Sequence, residues 1–268
     1  MDHSNNMRKF ITTVTVTGAD DLTNIDEMFA LQEEFPFVEW GILLSYRAQG
    51  QQKRFPSLDW IYNAMTKIQF DYSSKFNLSG HLCGDLVNDF LEEDIMNLLY
   101  KSMDDSYPKK ITSKKEHLEL CANWVNFNRI QINTHGTRHK FNKENLNSNI
   151  RMCGSQIIFQ YDQINKILEE IINDHKVNDV AALHDCSHGM GILPSEWPKP
   201  LDCFTGYAGG LSPDNVKYVC EHLSHIVPEN RSIWIDAETH LRTNEYFDLD
   251  KVRQFLLNTK DFIVDDQE

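Results

Sequence analysis

The chain has 268 residues, 41% of them hydrophobic, and its 40 acidic and 26 basic side chains give a net charge of −14. This charge argues against nucleic acid or an anionic membrane surface as a partner, and no apolar run is long enough to cross a membrane. The start, Met1–Lys9, is short and polar, unlike a secretory signal. The six cysteines form no CxxC pair, as suits thiols in a reducing compartment. We therefore predict a cytoplasmic protein that binds neither nucleic acid nor membrane.

Eight short runs rich in β-branched and aromatic residues, closed by turn residues, predict β-strands. In chain order they are Phe10–Thr17, Phe37–Leu44, Asn77–Leu82, Arg129–Asn133, Gln156–Gln160, Asp179–Leu183, Cys203–Tyr207 and Ser232–Asp236. Their spacing leaves room for a helix after most of them.

Segments with helical periodicity lie between these strands. The predicted helices are Asp21–Phe35, Ser57–Ile68, Asp162–His175, Pro213–Ile226 and Asp248–Phe262. Asp85–Trp124 is too long for one helix and is predicted to hold two, separated at Pro108. Lys140–Asn149 is polar and rich in Asn, which predicts a loop or a frayed helix. The sixth and seventh strands are joined by a short connection rich in proline, Pro194–Pro200.

Alternation of strand and helix predicts a parallel sheet, because parallel neighbours need a crossover between them. Eight repeats favour closure into a TIM (β/α)8 barrel, and no G-x-G-x-x-G follows the first strand to support a dinucleotide fold. We predict a single α/β domain over residues 1–268, with enlarged loops or helices at about 85–128 and 137–155.

The active site of such a barrel lies at the C-terminal ends of the strands. The strand ends of this chain carry many ionisable side chains. They include Asp20, Arg54, His81, His135, Asp185, Asp236, Glu238 and His240. Gly209 and Gly210 follow the seventh strand and precede a helix, where backbone N–H groups can face an anion. We expect a small-molecule substrate, and a phosphorylated one.

Four segments make a resemblance to a known family specific. They are Val14-Thr-Val-Thr-Gly18, Ile130-Gln-Ile-Asn-Thr-His-Gly136, Leu183-His-Asp-Cys-Ser-His-Gly-Met-Gly191 and Ala208-Gly-Gly-Leu-Ser-Pro-Asp-Asn-Val216. In order and approximate spacing they resemble phosphoribosylanthranilate isomerase, a barrel enzyme of tryptophan biosynthesis in the ribulose-phosphate-binding group. A fifth segment, from Ile235 to Thr243, is similar but altered.

The resemblance implies an Amadori-type conversion of an aminoaldose phosphate to an aminoketose phosphate by general acid and base, without metal or cofactor. By position, Asp185 corresponds to the general acid and Arg54 to the arginine that binds the substrate carboxylate. His135, in the strand-four segment, is expected to contact the substrate, and Gly209 and Gly210 to bind its phosphate. Related barrels occur as monomers and as dimers, so we expect a monomer or a homodimer.

The chain departs from the family pattern at two strand ends. Thr17 stands where the family has its catalytic cysteine, and a threonine hydroxyl is too weak an acid to serve as a general base at neutral pH. Asp20, three residues on, is the nearby carboxylate. At strand eight, Glu238 and His240 replace small residues of the phosphate site, and a carboxylate there would repel phosphate.

Two other functions fit the same strand ends. The first is a metal-dependent epimerase, aldolase or hydrolase that uses ligands at the strand ends. The candidate ligands are His81, His135, His184, Asp236 and Glu238. The second is a barrel that has lost its general base and binds a ligand without catalysis.

Overall fold

The structure is a computed structural model. It describes residues 7–72, 76–94, 127–134, 137–162, 164, 166–176, 178–185, 187 and 190–265. Two predictions lie outside the described residues: the placement of His135 and the helix break at Pro108. The predicted enlargement at 85–128 is described only at its two ends.

Eight parallel strands form a closed barrel in chain order, β1 to β8, and β8 pairs with β1. They are β1 Ile11–Thr17, β2 Val38–Leu44, β3 Leu78–Leu82, β4 Arg129–Ile132, β5 Gln156–Gln160, β6 Val180–Asp185, β7 Phe204–Ala208 and β8 Ile233–Ala237. The predicted TIM-barrel fold and all eight strands are confirmed. Most residues of these strands are buried on both faces of the sheet, which is typical of parallel strands.

Helices cover the outside of the barrel. They are α1 Ile25–Glu34, α2 Leu58–Lys67, α3 Asp85–Glu92, α4 Lys143–Cys153, α5 Ile167–Ile171, α6 Val216–Ile226 and α7 Leu249–Thr259. A short hairpin, β9 Arg242–Thr243 and β10 Tyr246–Phe247, lies between β8 and α7. No helix among these described segments is long and apolar enough to cross a membrane.

The prediction of a loop or frayed helix at Lys140–Asn149 is wrong, since α4 is a regular helix over most of this stretch. The side chain of Asn142 caps it by accepting from the backbone N–H groups of Glu144 and Asn145, both at 3.1 Å. Asn149 is fully buried, and its Nδ2 donates to the carbonyl oxygens of Phe90 and Glu93 at 2.9 and 2.8 Å. Asn142 therefore fixes the start of α4, and Asn149 links α4 to the end of α3.

The predicted helix Asp162–His175 is shorter than expected. Its regular part is α5, followed by one 3-10 turn at Ile172–Asp174. The carboxylate of Asp162 accepts from the backbone N–H of Ile164 at 2.7 Å. An aspartate that bonds two residues ahead forms a local turn, which competes with helix formation at this point.

A charged pair lies buried inside the barrel. Arg129 on β4 donates from Nε and Nη2 to the two carboxylate oxygens of Glu39 on β2, at 2.6 and 2.5 Å. Nη2 also donates to Thr15 at 3.1 Å, and the guanidinium lies 4.5 Å from the ring centroid of Trp234. The bidentate geometry and the aromatic face offset the hydration that both charges lose.

We expect Glu39→Gln to destabilise the fold by roughly 3–5 kcal/mol, because it leaves the buried guanidinium of Arg129 without a counter-charge. Urea unfolding followed by circular dichroism measures this change. Asp174→Asn is the matched control, since it removes one partner of the exposed ion pair with Lys143 and should barely move the midpoint. A Glu39→Gln variant as stable as the control would contradict this account of the interior.

Candidate active site

A polar pocket opens at the C-terminal ends of the strands. It has about 490 Å3 of empty space, including its opening to solvent. Its lining comes from β3 to β8 and the turns that follow them, and includes Asp185, Gly209, Gly210 and Glu238 of the residues expected from the sequence. The pocket is therefore where the strand-end rule places the active site.

Asp185 is the last residue of β6 and is half-buried in the pocket wall. One carboxylate oxygen accepts from Nε2 of Gln160 at 3.0 Å. The other accepts from the backbone N–H and the hydroxyl of Ser187, at 3.0 and 2.9 Å. These three bonds hold the carboxyl group in one orientation at the pocket surface.

A second carboxyl group faces the same pocket. Asp236 on β8 and Asp185 on β6 both pair with Ala208 on β7, so they lie at the same level of the barrel, with Cα atoms about 10 Å apart. Burial raises the pKa of Asp236 to about 8, and the hydrogen bond from Thr17 opposes part of that rise. Asp236 thus keeps its proton at neutral pH, although sequence reasoning had considered it only as a metal ligand.

Thr17 is held next to this second carboxyl group, at the end of β1. Its hydroxyl donates to Oδ1 of Asp236 at 2.9 Å. Gly41 on β2 makes room for it, because a Cβ there would lie 2.2 Å from the Thr17 hydroxyl oxygen and 3.0 Å from Nε2 of His81. In the position expected for the general base, the chain therefore places a hydroxyl that orients a carboxyl group.

Asp20 is not brought to the pocket with Asp185. It is almost fully buried, and Oδ2 accepts from Nη2 of Arg242 at 2.9 Å and from the backbone N–H of Phe247 at 2.7 Å. Its other oxygen accepts from the backbone N–H of Leu22 and the hydroxyl of Thr23, both at 3.1 Å. These contacts join the end of β1 to the β9–β10 hairpin, which is a packing role.

Arg54 is engaged by a carboxylate of the chain itself. Its Nη1 lies 2.9 Å from Oε1 of Glu238, and both side chains are mostly buried at the pocket rim. Burial raises the pKa of Glu238, while the positive charges of Arg54 and Arg242 oppose that rise. The guanidinium expected to bind a substrate carboxylate is thus occupied by Glu238.

Gly209 and Gly210 adopt φ values of 117° and 66°, which favour glycine. Backbone from the β6–β7 connection takes the space above Gly210, since a Cβ there would lie 2.3 Å from the backbone nitrogen of Leu193. The carbonyl oxygen of Gly191 is 2.9 Å from Nε2 of His240. Segment Gly191–Leu193 therefore packs against the turns that follow β7 and β8, where the sequence analysis expected the phosphate site.

His81, Gln131 and Asn133 form a chain of polar side chains on the pocket floor. Nε2 of Gln131 lies 3.2 Å from Nδ1 of His81 and donates to Oδ1 of Asn133 at 2.8 Å. Burial, with the positive charge of Arg129 below, lowers the pKa of His81 to about 3. The imidazole is neutral at physiological pH, and sequence reasoning had considered it only as a metal ligand.

The described side chains among the proposed metal ligands do not form a ligand cluster. Within the part of the chain that the structure describes, no three His, Cys, Asp or Glu side chains lie close enough to hold a metal ion. His184 packs between the rings of Tyr161 and Tyr207, with centroids 5.8 and 5.4 Å away, and is not part of the pocket lining.

Fold and pocket together define a (β/α)8 barrel with the carboxyl groups of Asp185, Asp236 and Glu238 in the lining of one pocket. No protein-family model and no curated protein sequence matches the chain. Three similar solved structures are phosphoribosylanthranilate isomerases, so the expected resemblance to that family is confirmed in structure. The enzyme of Thermococcus kodakaraensis is 13% identical with a TM-score of 0.50, over 93% of this chain and 99% of its own. That of Pyrococcus furiosus is 15% identical with a TM-score of 0.50, over 93% and 98%.

The third structure is a monomer form generated from the dimeric enzyme of Thermotoga maritima. It is 14% identical with a TM-score of 0.50, over 93% of this chain and 99% of its own. Identities of this size show a common fold and leave the substrate and the roles of individual residues to be argued from the pocket.

The raised pKa of Asp236 predicts a pH dependence of stability. The folded carboxyl group binds its proton up to about pH 8, and the unfolded one only to its ordinary value of 3.8. The Asp236 contribution to the free energy of unfolding therefore falls as pH rises from about 4 to 8, by at most ~1.4 kcal/mol per pH unit.

Asp236→Asn keeps an acceptor for Thr17 and removes this contribution, so the variant should gain stability relative to wild type between pH 5 and pH 8. Urea unfolding at several pH values gives the difference. Asp202→Asn is the control, because Asp202 is exposed to solvent and Asp236 is unchanged; its free energy of unfolding should depend on pH as in the wild type. If the free energies of unfolding of wild type and Asp236→Asn changed in parallel between pH 5 and pH 8, Asp236 would be ionised in the folded protein over this whole range, and the prediction would be wrong.

Proposed function

We propose that the chain is an acid–base isomerase that converts the aldose form of a small sugar-phosphate-like substrate to the ketose form at the barrel mouth. The observation that carries this proposal is the pair of carboxyl groups at one level of the barrel, in different environments. Asp236 holds a proton at neutral pH, and Asp185 accepts three hydrogen bonds. Two carboxyl groups with different environments are a common basis for one acid and one base.

The chemistry needs two linked proton movements. The acid protonates the ring oxygen as the ring opens and recovers a proton from the hydroxyl or amino group on C1, and the base removes the proton from C2 and returns a proton to C1, which completes the ketose. Asp236 takes the role of acid because it carries the proton, and Asp185 takes the role of base. This assignment reverses the role that the resemblance implies for Asp185 and dispenses with a base at Thr17, which positions Asp236 instead.

The residues around the two carboxyl groups support binding of a small polar molecule. The pocket is concave, open at one end and lined mainly by side chains that can form hydrogen bonds. Arg54 is a cation paired with Glu238 of the pocket lining, so a substrate phosphate or carboxylate would compete with Glu238 for this guanidinium. A cytoplasmic location and a monomeric or homodimeric state remain predictions.

The enzymatic proposal is tested by proton exchange in D2O, with ribose 5-phosphate, ribulose 5-phosphate and phosphoribosylanthranilate as candidate substrates. Nuclear magnetic resonance should show conversion of at least one of them, with deuterium entering at the carbon next to the one that loses its proton, which is C1 when an aldose becomes a ketose. Asp185→Asn should lower kcat by at least about 100-fold, which is the usual effect of losing a general base. Asp202→Asn should retain wild-type turnover. If none of the three compounds is converted or raises the Tm, the proposal is wrong for sugar phosphates.

Glu238→Gln should strengthen binding of ribose 5-phosphate by roughly three- to tenfold at low salt, because it removes a carboxylate that repels phosphate and releases Arg54. Calorimetric titration measures the Kd. Glu245→Gln is the control, since it removes an equal charge from the exposed pair with Lys53 and should leave the Kd near its wild-type value. An unchanged or weaker Kd in Glu238→Gln would mean that Arg54 does not bind the phosphate.

A further inference from the structure

The pocket floor contains two polar atoms without a hydrogen-bond partner among the described residues: Nε2 of His81 and Oε1 of Gln131. The two side chains are only 1% and 3% exposed, and both line the pocket. A buried donor or acceptor without a partner destabilises the fold. His81 and Gln131 occupy paired positions of β3 and β4, so polar groups of one ligand in this pocket can satisfy both atoms.

The hydrogen bonds around His81 determine which atom donates. The amide nitrogen of Gln131 can only donate, and it lies 3.2 Å from Nδ1 of His81, so Nδ1 accepts. In the neutral imidazole the proton is therefore on Nε2, which makes Nε2 a donor. Oε1 of Gln131 is an acceptor. The floor thus offers one donor, on the side of His81 that faces Gly41, and one acceptor on Gln131.

The floor is also uncharged. His81 is neutral, Gln131 and Asn133 carry no charge, and Asp236 holds its proton at neutral pH. An anion would meet the amide oxygen of Gln131 unfavourably, and a cation would meet the N–H of His81 and the guanidinium of Arg129 below it. A hydroxyl group, which accepts and donates at once, matches both atoms without a charge.

We propose that His81 and Gln131 form a subsite for a hydroxyl group of a polyol-type substrate, which enters with its uncharged end first and leaves its charged end at the rim near Arg54. The subsite lies in the same pocket as the proposed isomerase and narrows its substrate to a polyhydroxylated chain or sugar. His81 acts here as a neutral hydrogen-bond donor to the substrate and takes no part in proton transfer.

The first test uses ribitol, an uncharged polyol that cannot isomerise and has no phosphate. In protein labelled with 15N-histidine, titration with ribitol should shift the Nε2 resonance of His81 to saturation. 1,2-Dimethoxyethane, which accepts hydrogen bonds but cannot donate to Gln131, should bind at least about tenfold more weakly. If ribitol leaves this resonance unchanged, the floor holds water only and the proposal is wrong.

The second test compares variants by calorimetric titration with ribitol. Gln131→Met removes the acceptor at similar volume and should raise the Kd by about tenfold, equivalent to ~1.4 kcal/mol. Gln156→Met is the matched control, because Gln156 lies on β5 at the opposite end of the barrel and donates to the carbonyl oxygen of Asn178. An equal Kd in both variants would overturn the subsite. If Gln131→Met does not fold, the shift of the His81 Nε2 resonance in the wild-type protein alone tests the proposed subsite.

The two proposals fail separately. A ribitol-dependent shift of the His81 resonance in a protein that converts no sugar phosphate would support the subsite and refute the isomerase. Conversion of a sugar phosphate without any effect of ribitol on His81 would support the isomerase and refute the subsite.

Discussion

Closure of the barrel between β1 and β8 is the constraint on which the candidate site depends. The first and last strands are more than 200 residues apart in the chain, and their parallel pairing brings Thr17 to Asp236. Closure also encloses the barrel interior, where the opposite charges of Arg129 and Glu39 neutralise one another in an ion pair. Because a closed barrel admits little water below its mouth, Asp236 loses hydration and its pKa rises. An open sheet would leave the same residues as separate, solvated side chains.

The pocket divides into an uncharged floor and a charged rim, and burial explains the division. Isolated charges are costly where water is excluded, so two buried titratable groups of the pocket without an ionic partner in the described part of the chain, His81 and Asp236, are neutral at pH 7. Charge is retained where a partner or solvent is available, as in the pair of Arg54 with Glu238 at the rim. Such an arrangement suits a substrate with one polar, uncharged end and one anionic end. It also allows an acid and a base to coexist within one small volume.

The fold was predictable from the sequence because its signal is local. Runs such as Val38–Leu44 predict a strand wherever they occur, and eight of them at regular intervals imply the barrel. Asp185 was predictable for the same reason, since it ends a strand. The contacts and the shifted pKa values of Asp236 and His81 were not, because they depend on which side chains meet inside the closed barrel and on the space left by Gly41. The helix α4 was missed because Asn142 and Asn149, which favour loops in isolation, here act as a cap and as a buried link to α3.

The departures from the resembling family are physically connected. Thr17 ends β1 with a hydroxyl that donates to Asp236 and does not ionise at neutral pH, so the proposed proton transfers depend on the carboxyl groups of β6 and β8. Segment Gly191–Leu193 fills the space above Gly210, and Glu238 takes the partner of an incoming anion. Each change reduces the room for a phosphate near β7 and β8. What stays open is the floor near β3 and β4, where His81 and Gln131 carry the unpaired donor and acceptor. The recognition of substrate is therefore expected to have moved from its charged end towards its hydroxyl groups.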